Sequence, residues 1–321
     1  MKSDQKTNLL RSTEGNHDLS GFSGCLSETG HLVRLILKHP MQAFQNQDLV
    51  DSQWASLNYS EPPEMDGAVK EYDSFVDMLR ESVDEIHFLP ADERTGMDSI
   101  YVRDAAIMTR SGAILCRMGK NLRMGEPEAT GDALSVLGIP IIGSITGDGR
   151  LEGGDCVNLD GQTLIVGQGY RTNAAGIEQL KRLTEGIIEE IVAVPLPHWN
   201  GPGDVLHLMS FFSPLSSDMA LVYSRLMPVP FREWLIERGV HLIEVPDEEF
   251  ESMGCNVLVL RPGLCLMLEG NPRTRRCIEK RGIEVRTYRG NEISRKGAGG
   301  PTCLTRPIVR NEVISKREEP G

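Results

Sequence analysis

Five polar positions along the chain have the residue types of covalent acid–base chemistry. They are Asp104 in Tyr101-Val102-Arg103-Asp104, Glu152 and Asp155 in Leu151-Glu152-Gly153-Gly154-Asp155, His207 in Val205-Leu206-His207-Leu208, and Cys303 in Gly299-Gly300-Pro301-Thr302-Cys303. A thiol, with a pKa near ~8.5 in isolation, becomes a good nucleophile when a nearby cation and imidazole favour its thiolate. The imidazole can give a proton to a departing group and later take one from water. Carboxylates can hold a cation. Taken singly, each position has a plainer reading: Cys303 as a small buried hydrophobe after a glycine loop, Asp104 as a turn cap, Glu152 to Asp155 as a solvated turn, His207 as a satisfied core histidine. The chemical reading requires a fold that brings them together.

The elements around them recur. Ile100–Met108, the turn Ser111-Gly112 and Ala113–Arg117 read as strand, turn, strand, followed by a helix over Glu128–Leu137 and a strand at Ile139–Ile142. The order returns as Asp155–Leu159, Gln162–Val166, helix Ala174–Leu183 and strand Glu190–Val194. It returns again as Val205–Ser213, Met219–Tyr223, helix Pro230–Glu237 and strand Val240–Val245, and then as Asn256–Leu260, Leu264–Leu268, helix Arg273–Lys280 and strand Gly282–Thr287. The hairpin openings at Asp104, Asp155, His207, Asn256 and Cys303 are about 50 residues apart, a spacing that signals a repeat architecture. One such unit cannot bury its own apolar face, whereas copies set around an axis bury theirs jointly and leave no long sheet edge. With the strand His31–Lys38 and the last segment completing one copy, the count is five. The expected fold is a single α/β domain over 31–321 with pseudo-fivefold symmetry, its hairpin openings converging at the middle. Residues 1–30, polar and aperiodic, read as a flexible N-terminal arm. Residues 41–63 read as a surface loop, with a lid over a site as the alternative, and helical spacing follows over Val69–Leu79.

The totals narrow the partners. A chain of 321 residues can bury a full core without staples, and its formal net charge of -12 argues against nucleic acid or an anionic membrane surface. No apolar run approaches the roughly 20 residues that span a bilayer, and the polar start is unlike a signal peptide. The seven cysteines are scattered with no Cys-x-x-Cys pair or Cys/His ligand spacing, so neither a disulfide framework nor a metal site is expected. No cofactor is implied, and a reduced, cytoplasmic setting is expected. The chain is free to act alone or as a homo-oligomer. Among cations that clustered carboxylates could hold, the planar guanidinium fits best, because it offers paired N–H donors.

Several dispersed motifs, in one order, resemble the guanidino-group-modifying enzymes: the pentein superfamily of arginine deiminase, dimethylarginine dimethylaminohydrolase and the amidinotransferases. They are Val102-Arg103-Asp104, Glu152-Gly153-Gly154-Asp155, Gly169-Tyr170-Arg171-Thr172-Asn173, His207-Leu208 and Gly299-Gly300-Pro301-Thr302-Cys303, and the likeness runs over roughly 31–310. The resemblance implies a fivefold β/α propeller and a small guanidino substrate. It implies Cys303 as nucleophile, His207 as general acid and base, and Glu152 and Asp104 gripping the guanidinium. By position Arg171 and Arg123 resemble the arginines that pair with a substrate's α-carboxylate; Asp155, a substrate-side candidate, better suits support of the turn or the shell behind Glu152. The implied reaction is thiolate attack on the guanidinium carbon, loss of an amine and hydrolysis of an S-alkylthiouronium to a ureido product such as citrulline. An amidinotransferase would pass the amidino group to an amine instead, and a non-catalytic pentein would need none of these side chains.

One departure bears on the member. Deiminases and amidinotransferases carry an Asp two places after the histidine; here that place is Met209, in His207-Leu208-Met209-Ser210, closer to the His-Leu-x-Ser context of dimethylargininases. Arg103 before Asp104 is nearer the deiminase and amidinotransferase pattern. The expected activity is hydrolysis of a C–N bond in a linear amidine, with dimethylarginine first and free arginine second.

Overall fold

The computed structural model describes residues 24–311. In chain order, β1 (His31–Leu37) is followed by the short helices α1 (Pro40–Ala43) and α2 (Gln47–Gln53), the long α3 (Met65–Arg80) and β2 (Glu85–Phe88). The second unit is β3 (Ala106–Thr109), β4 (Gly112–Leu115), α4 (Glu126–Val136) and β5 (Ile141–Ser144), and the third is β6 (Cys156–Asn158), β7 (Thr163–Gln168), α5 (Ala174–Leu183) and β8 (Glu190–Pro195). The fourth is β9 (Phe212–Pro214), β10 (Met219–Val222), α6 (Val229–Glu237) and β11 (His241–Glu244). After α7 (Asp247–Phe250) comes the fifth: β12 (Val257–Arg261), β13 (Leu264–Leu268), α8 (Pro272–Glu279) and β14 (Glu284–Tyr288), and the described chain ends in β15 (Arg306–Asn311).

These strands form five three-stranded sheets of one design: an antiparallel pair, then a third strand in parallel beyond a helix. The sheet β15-β1-β2 repeats the pattern from the two ends of the chain, so the last strand closes the ring on the first. This is the fivefold β/α propeller of the pentein class. Burial falls from the middle strand outward: β13 is buried throughout, whereas β2 is half-exposed along its length. Apolar residues therefore form near-continuous runs in the central strands and alternate at the rim.

Neighbouring units are joined near the axis by short polar contacts. Gly153 N–H donates to the Asp104 carbonyl at 3.0 Å, Leu208 N–H to Asp155 Oδ1 at 3.0 Å and Ser213 Oγ to the Cys255 carbonyl at 2.7 Å. Thr302 N–H donates to Asn256 Oδ1 at 3.1 Å, and Arg103 N–H to the Cys303 carbonyl at 3.2 Å. These contacts make a closed circuit, each lying at or beside a hairpin opening.

Several expected elements differ. Ile100–Met108 is not one strand: a single 3₁₀ turn covers Met97–Ile100 and β3 begins only at Ala106. Val205–Ser213 likewise contains a 3₁₀ turn at Leu208–Ser210 before β9. Both stretches are apolar because they are buried, and burial alone does not distinguish a strand from a packed turn. Residues 41–63 hold α2 rather than plain loop, capped by the Asn46 side chain accepting from Leu49 N–H. The domain begins earlier than residue 31: Cys25, Ser27 and Glu28 are buried, and Arg310 N–H donates to the Gly24 carbonyl. Residues 1–23 of the expected arm lie outside the described residues. No described helix is long and apolar enough to cross a membrane.

Leu35, fully buried in β1 between Pro307 of β15 and Ile86 of β2, tests the ring closure. Leu35→Ala is expected to lower unfolding free energy by about 2–5 kcal/mol in urea titration. A loss of only about 0.5 kcal/mol, typical of a surface site, would show that the closing sheet contributes little.

Candidate active site

The hairpin openings place side chains from three units against one another. His207 Nε2 lies 2.7 Å from Glu152 Oε2, and its Nδ1 lies 3.9 Å from Asp104 Oδ1. Glu152 Oε1 accepts Gly119 N–H at 2.8 Å, and Arg171 Nη1 reaches both Glu152 oxygens at 3.2 and 3.1 Å. Asp104 Oδ1 accepts Gly154 N–H at 2.9 Å, while Oδ2 accepts Arg123 Nη1 at 2.7 Å. Arg123 in turn holds Glu126 through Nε at 2.9 Å and Nη2 at 2.8 Å. All these side chains are buried. The paired glycines have a steric reason here: a Cβ on Gly153 would collide with the Arg103 carbonyl, and one on Gly154 with the His207 ring.

The surroundings set the charges. Burial opposes a charged His207, but Asp104, Asp155 and Glu152 outweigh it and push the imidazole up to about 9. Burial likewise opposes a charged Glu152, and the His207 bond with the Arg171 charge holds its carboxyl well below the usual range. The pair is thus imidazolium and carboxylate at neutral pH. The Cys303 thiol is pushed up to about 11, by burial first and by the Asp104 charge second. Burial raises Asp155 to about 6 and Glu126 to about 7.

Cys303 and His207 line the same cavity, of about 130 Å³, together with Gly154, Asn256 and Met209. Its apolar wall includes Trp199, Phe250 and Met253. Trp199, Met253 and Ala298, all lining it, have φ of 45°, 60° and 56°, a conformation costly without glycine and tolerated where a site shapes the chain.

Of the residues singled out in the sequence, Asp104, Glu152, His207, Arg123 and Arg171 form one contact network, and Cys303 joins His207 at the cavity. Arg123 and Arg171 point inward onto the protein's own carboxylates. Asp155 holds the Leu208 N–H from behind, which fixes the turn after His207. Asn256 adds a further polar group to the site. Its amide Nδ2 lies 3.8 Å from Cys303 Sγ, and its Oδ1 takes the Thr302 N–H and hydroxyl at 3.1 and 2.9 Å. The signal was its place at the fourth hairpin opening, in register with the other four. Asp104, Glu152 and His207 are also the one described cluster whose ligand atoms all lie within 4.8 Å, as a metal site requires. The guanidinium groups already on both carboxylates suit an organic cation better.

A five-sheet ring that opens on a thiol, an imidazolium and two guanidinium-holding carboxylates defines a guanidino-group-modifying enzyme of the pentein fold. The family model described as "N,N dimethylarginine dimethylhydrolase, eukaryotic" matches residues 41–310, and the chain belongs to that family. It is 31% identical to the N(G),N(G)-dimethylarginine dimethylaminohydrolase of Streptomyces coelicolor, over 74% of this chain and 84% of that one. Among solved structures, a mutant of the Pseudomonas aeruginosa dimethylarginine dimethylaminohydrolase complexed with citrulline superposes with a TM-score of 0.70 at 26% identity, covering 86% of this chain and 98% of that one. The amidinotransferase SxtG from Microseira wollei shares the fold, with a TM-score of 0.74 at 17% identity over 91% of this chain and 98% of its own. The protein is a guanidino-group hydrolase of dimethylargininase type.

Two outcomes follow from the geometry at Cys303. Iodoacetamide labelling of Cys303, followed by peptide mapping, is expected to accelerate with pH and to show no plateau below pH 9, since the thiol is pushed up to about 11. A plateau below about pH 8 would mean a pre-formed thiolate and contradict the charge balance. Asn256→Ala should lower kcat roughly tenfold, the scale of one hydrogen bond of about 1.4 kcal/mol. An unchanged kcat would reduce Asn256 to a structural link with Thr302.

Proposed function

We propose that Cys303 attacks the guanidinium carbon of an N-methylated arginine, with Glu152 and Asp104 holding the substrate cation and His207 handling the protons. The supporting observation is the buried 2.7 Å His207–Glu152 contact at the wall of the cavity that also contains Cys303. In the first step the thiol releases its proton to solvent, and the thiolate forms the S–C bond as the C=N π pair of the guanidinium moves onto nitrogen. A bound guanidinium supplies the positive charge that the half-buried Cys303 thiol lacks, so the thiolate is favoured only once substrate is present. The tetrahedral adduct then collapses: the imidazolium gives its proton to the leaving nitrogen, the C–N bond breaks, and an amine departs from an S-alkylthiouronium. His207, now neutral, takes a proton from water as its oxygen attacks the same carbon, and the ureido product leaves as the C–S bond breaks.

Arg171 and Arg123 each hold a carboxylate that the substrate guanidinium would use. Substrate binding therefore exchanges one guanidinium for another on Glu152 and Asp104, and the released arginines are suited to a substrate α-carboxylate. Met209 supports the methylated substrate. It is buried, lines the cavity and puts a thioether where a third carboxylate would otherwise grip the unsubstituted guanidinium.

The test is product identification by mass spectrometry after incubation with dimethylarginine, arginine and an added amine. Citrulline with dimethylamine is expected, lost entirely in Cys303→Ser; transfer of the amidino group to the amine would replace hydrolysis by transfer. Met209→Asp should raise kcat/KM for arginine relative to dimethylarginine by about tenfold, or about 1.4 kcal/mol of differential binding. A ratio that stays constant would show that this position does not select the substrate.

A further inference from the structure

Behind the cavity lies a second charged cluster that the reaction does not use. Arg103, Arg306 and Arg310 are all buried, and Arg103 is wholly so. The carboxylate facing them is Glu28, in the segment before β1. Arg103 Nη1 reaches Glu28 Oε1 and Oε2 at 3.2 and 3.3 Å, and Nη2 reaches Oε2 at 3.3 Å, a forked pairing. Burial opposes the charge on Glu28, but Arg103, Arg310 and Arg306 keep its carboxyl below the usual range. The cluster also contains the Cys25 thiol, beside Arg310.

Arg103 is placed where the two ends of the site meet. It immediately precedes Asp104, its N–H donates to the Cys303 carbonyl at 3.2 Å, and its Nε donates to the Thr302 carbonyl at 3.1 Å. Its own carbonyl accepts Arg306 Nη1 at 3.2 Å. Arg103 thus ties the backbone before Asp104 to the carbonyls of Cys303, through its N–H, and Thr302, through its side chain, whose guanidinium end is anchored on Glu28. The segment carrying Glu28 is itself fixed: Glu28 N–H donates to the Asn158 carbonyl at 3.2 Å, and Asn158 Nδ2 donates to the Cys25 carbonyl at 3.1 Å.

We propose that Glu28 is a positioning residue for the reaction: by anchoring Arg103 it fixes the spacing of Cys303 and Asp104. Glu28 lies outside the residues matched by the family model, and its partner is distant in sequence. Without its carboxylate, Arg103 is a buried cation beside two others, and the strain of that repulsion falls on the Cys303–Asp104 junction. The inference rests on the assignment of Cys303 and Asp104 as reacting groups.

The full chain carrying Glu28→Gln is compared with wild type by steady-state kinetics on dimethylarginine and by the rate of Cys303 alkylation at fixed pH. The expected result is a roughly tenfold loss in kcat with KM held within about twofold, and an alkylation rate altered by about threefold or more, because the thiol has moved relative to Asp104. Should Glu28→Gln not fold, Glu28→Gln combined with Arg103→Gln removes the uncompensated charge; it is expected to fold and still show the loss in kcat. A folded variant with wild-type kcat and alkylation rate, or a change confined to KM, overturns the proposal. If wild type leaves dimethylarginine intact while Glu28→Gln alters alkylation, the substrate assignment fails and the positioning role stands.

Discussion

The bond between His207 and Glu152 is the constraint around which the site is arranged. Taking either ion out of water costs several kcal/mol, and a lone pair of opposite charges recovers this only with good geometry and further hydrogen bonds. Here Glu152 gains the Gly119 N–H and the Arg171 guanidinium, and His207 gains a second carboxylate in Asp104. Asp104 in turn is held by Gly154 N–H and Arg123. The outcome is an imidazole that holds its proton against the Glu152 carboxylate, near a Cys303 thiol pushed up by burial and by the Asp104 charge. On the proposed mechanism, acid and nucleophile are thereby kept from neutralising each other, and the substrate's own charge sets the reaction going.

The propeller makes such a cluster affordable to build. Each candidate residue sits at or beside the opening of a hairpin whose ladder fixes the backbone. The contacts between neighbouring units form a closed circuit. Arg103 and Glu28 complete it at the place where the ends of the chain meet, which is also where Cys303 and Asp104 adjoin. Glu152, Asp104 and His207 are themselves buried, so their charges act in a setting where water competes weakly.

Much of this was legible in the sequence because the repeat is local. A turn, an apolar pair of strands and a helix recur at even spacing, and α5 and β13 have the bounds that the pattern gives. The strand limits at Ile100–Met108 and Val205–Ser213 were not legible, since a buried turn is as apolar as a strand. β2 was missed because Glu85-Ile86-His87-Phe88 is short and half-exposed, with little apolar signal. Asn256 was in register but chemically plain, and only the nearby thiol gives its amide a part. Glu28 could not be read at all: a lone acid in a Gly- and Ser-rich stretch looks like an arm until the fold brings Arg103 to it. The inward turn of Arg123 and Arg171 was equally hidden, since sequence shows the residue type and not which carboxylate it meets.

The state of His207 is the most direct test. NMR titration of its imidazole in the folded, full-length protein should give a pKa near 9, well above the ordinary ~6.5, and Glu152→Gln should bring it down. A wild-type value at or below ~6.5 would mean a neutral imidazole at physiological pH and contradict the stored-proton account.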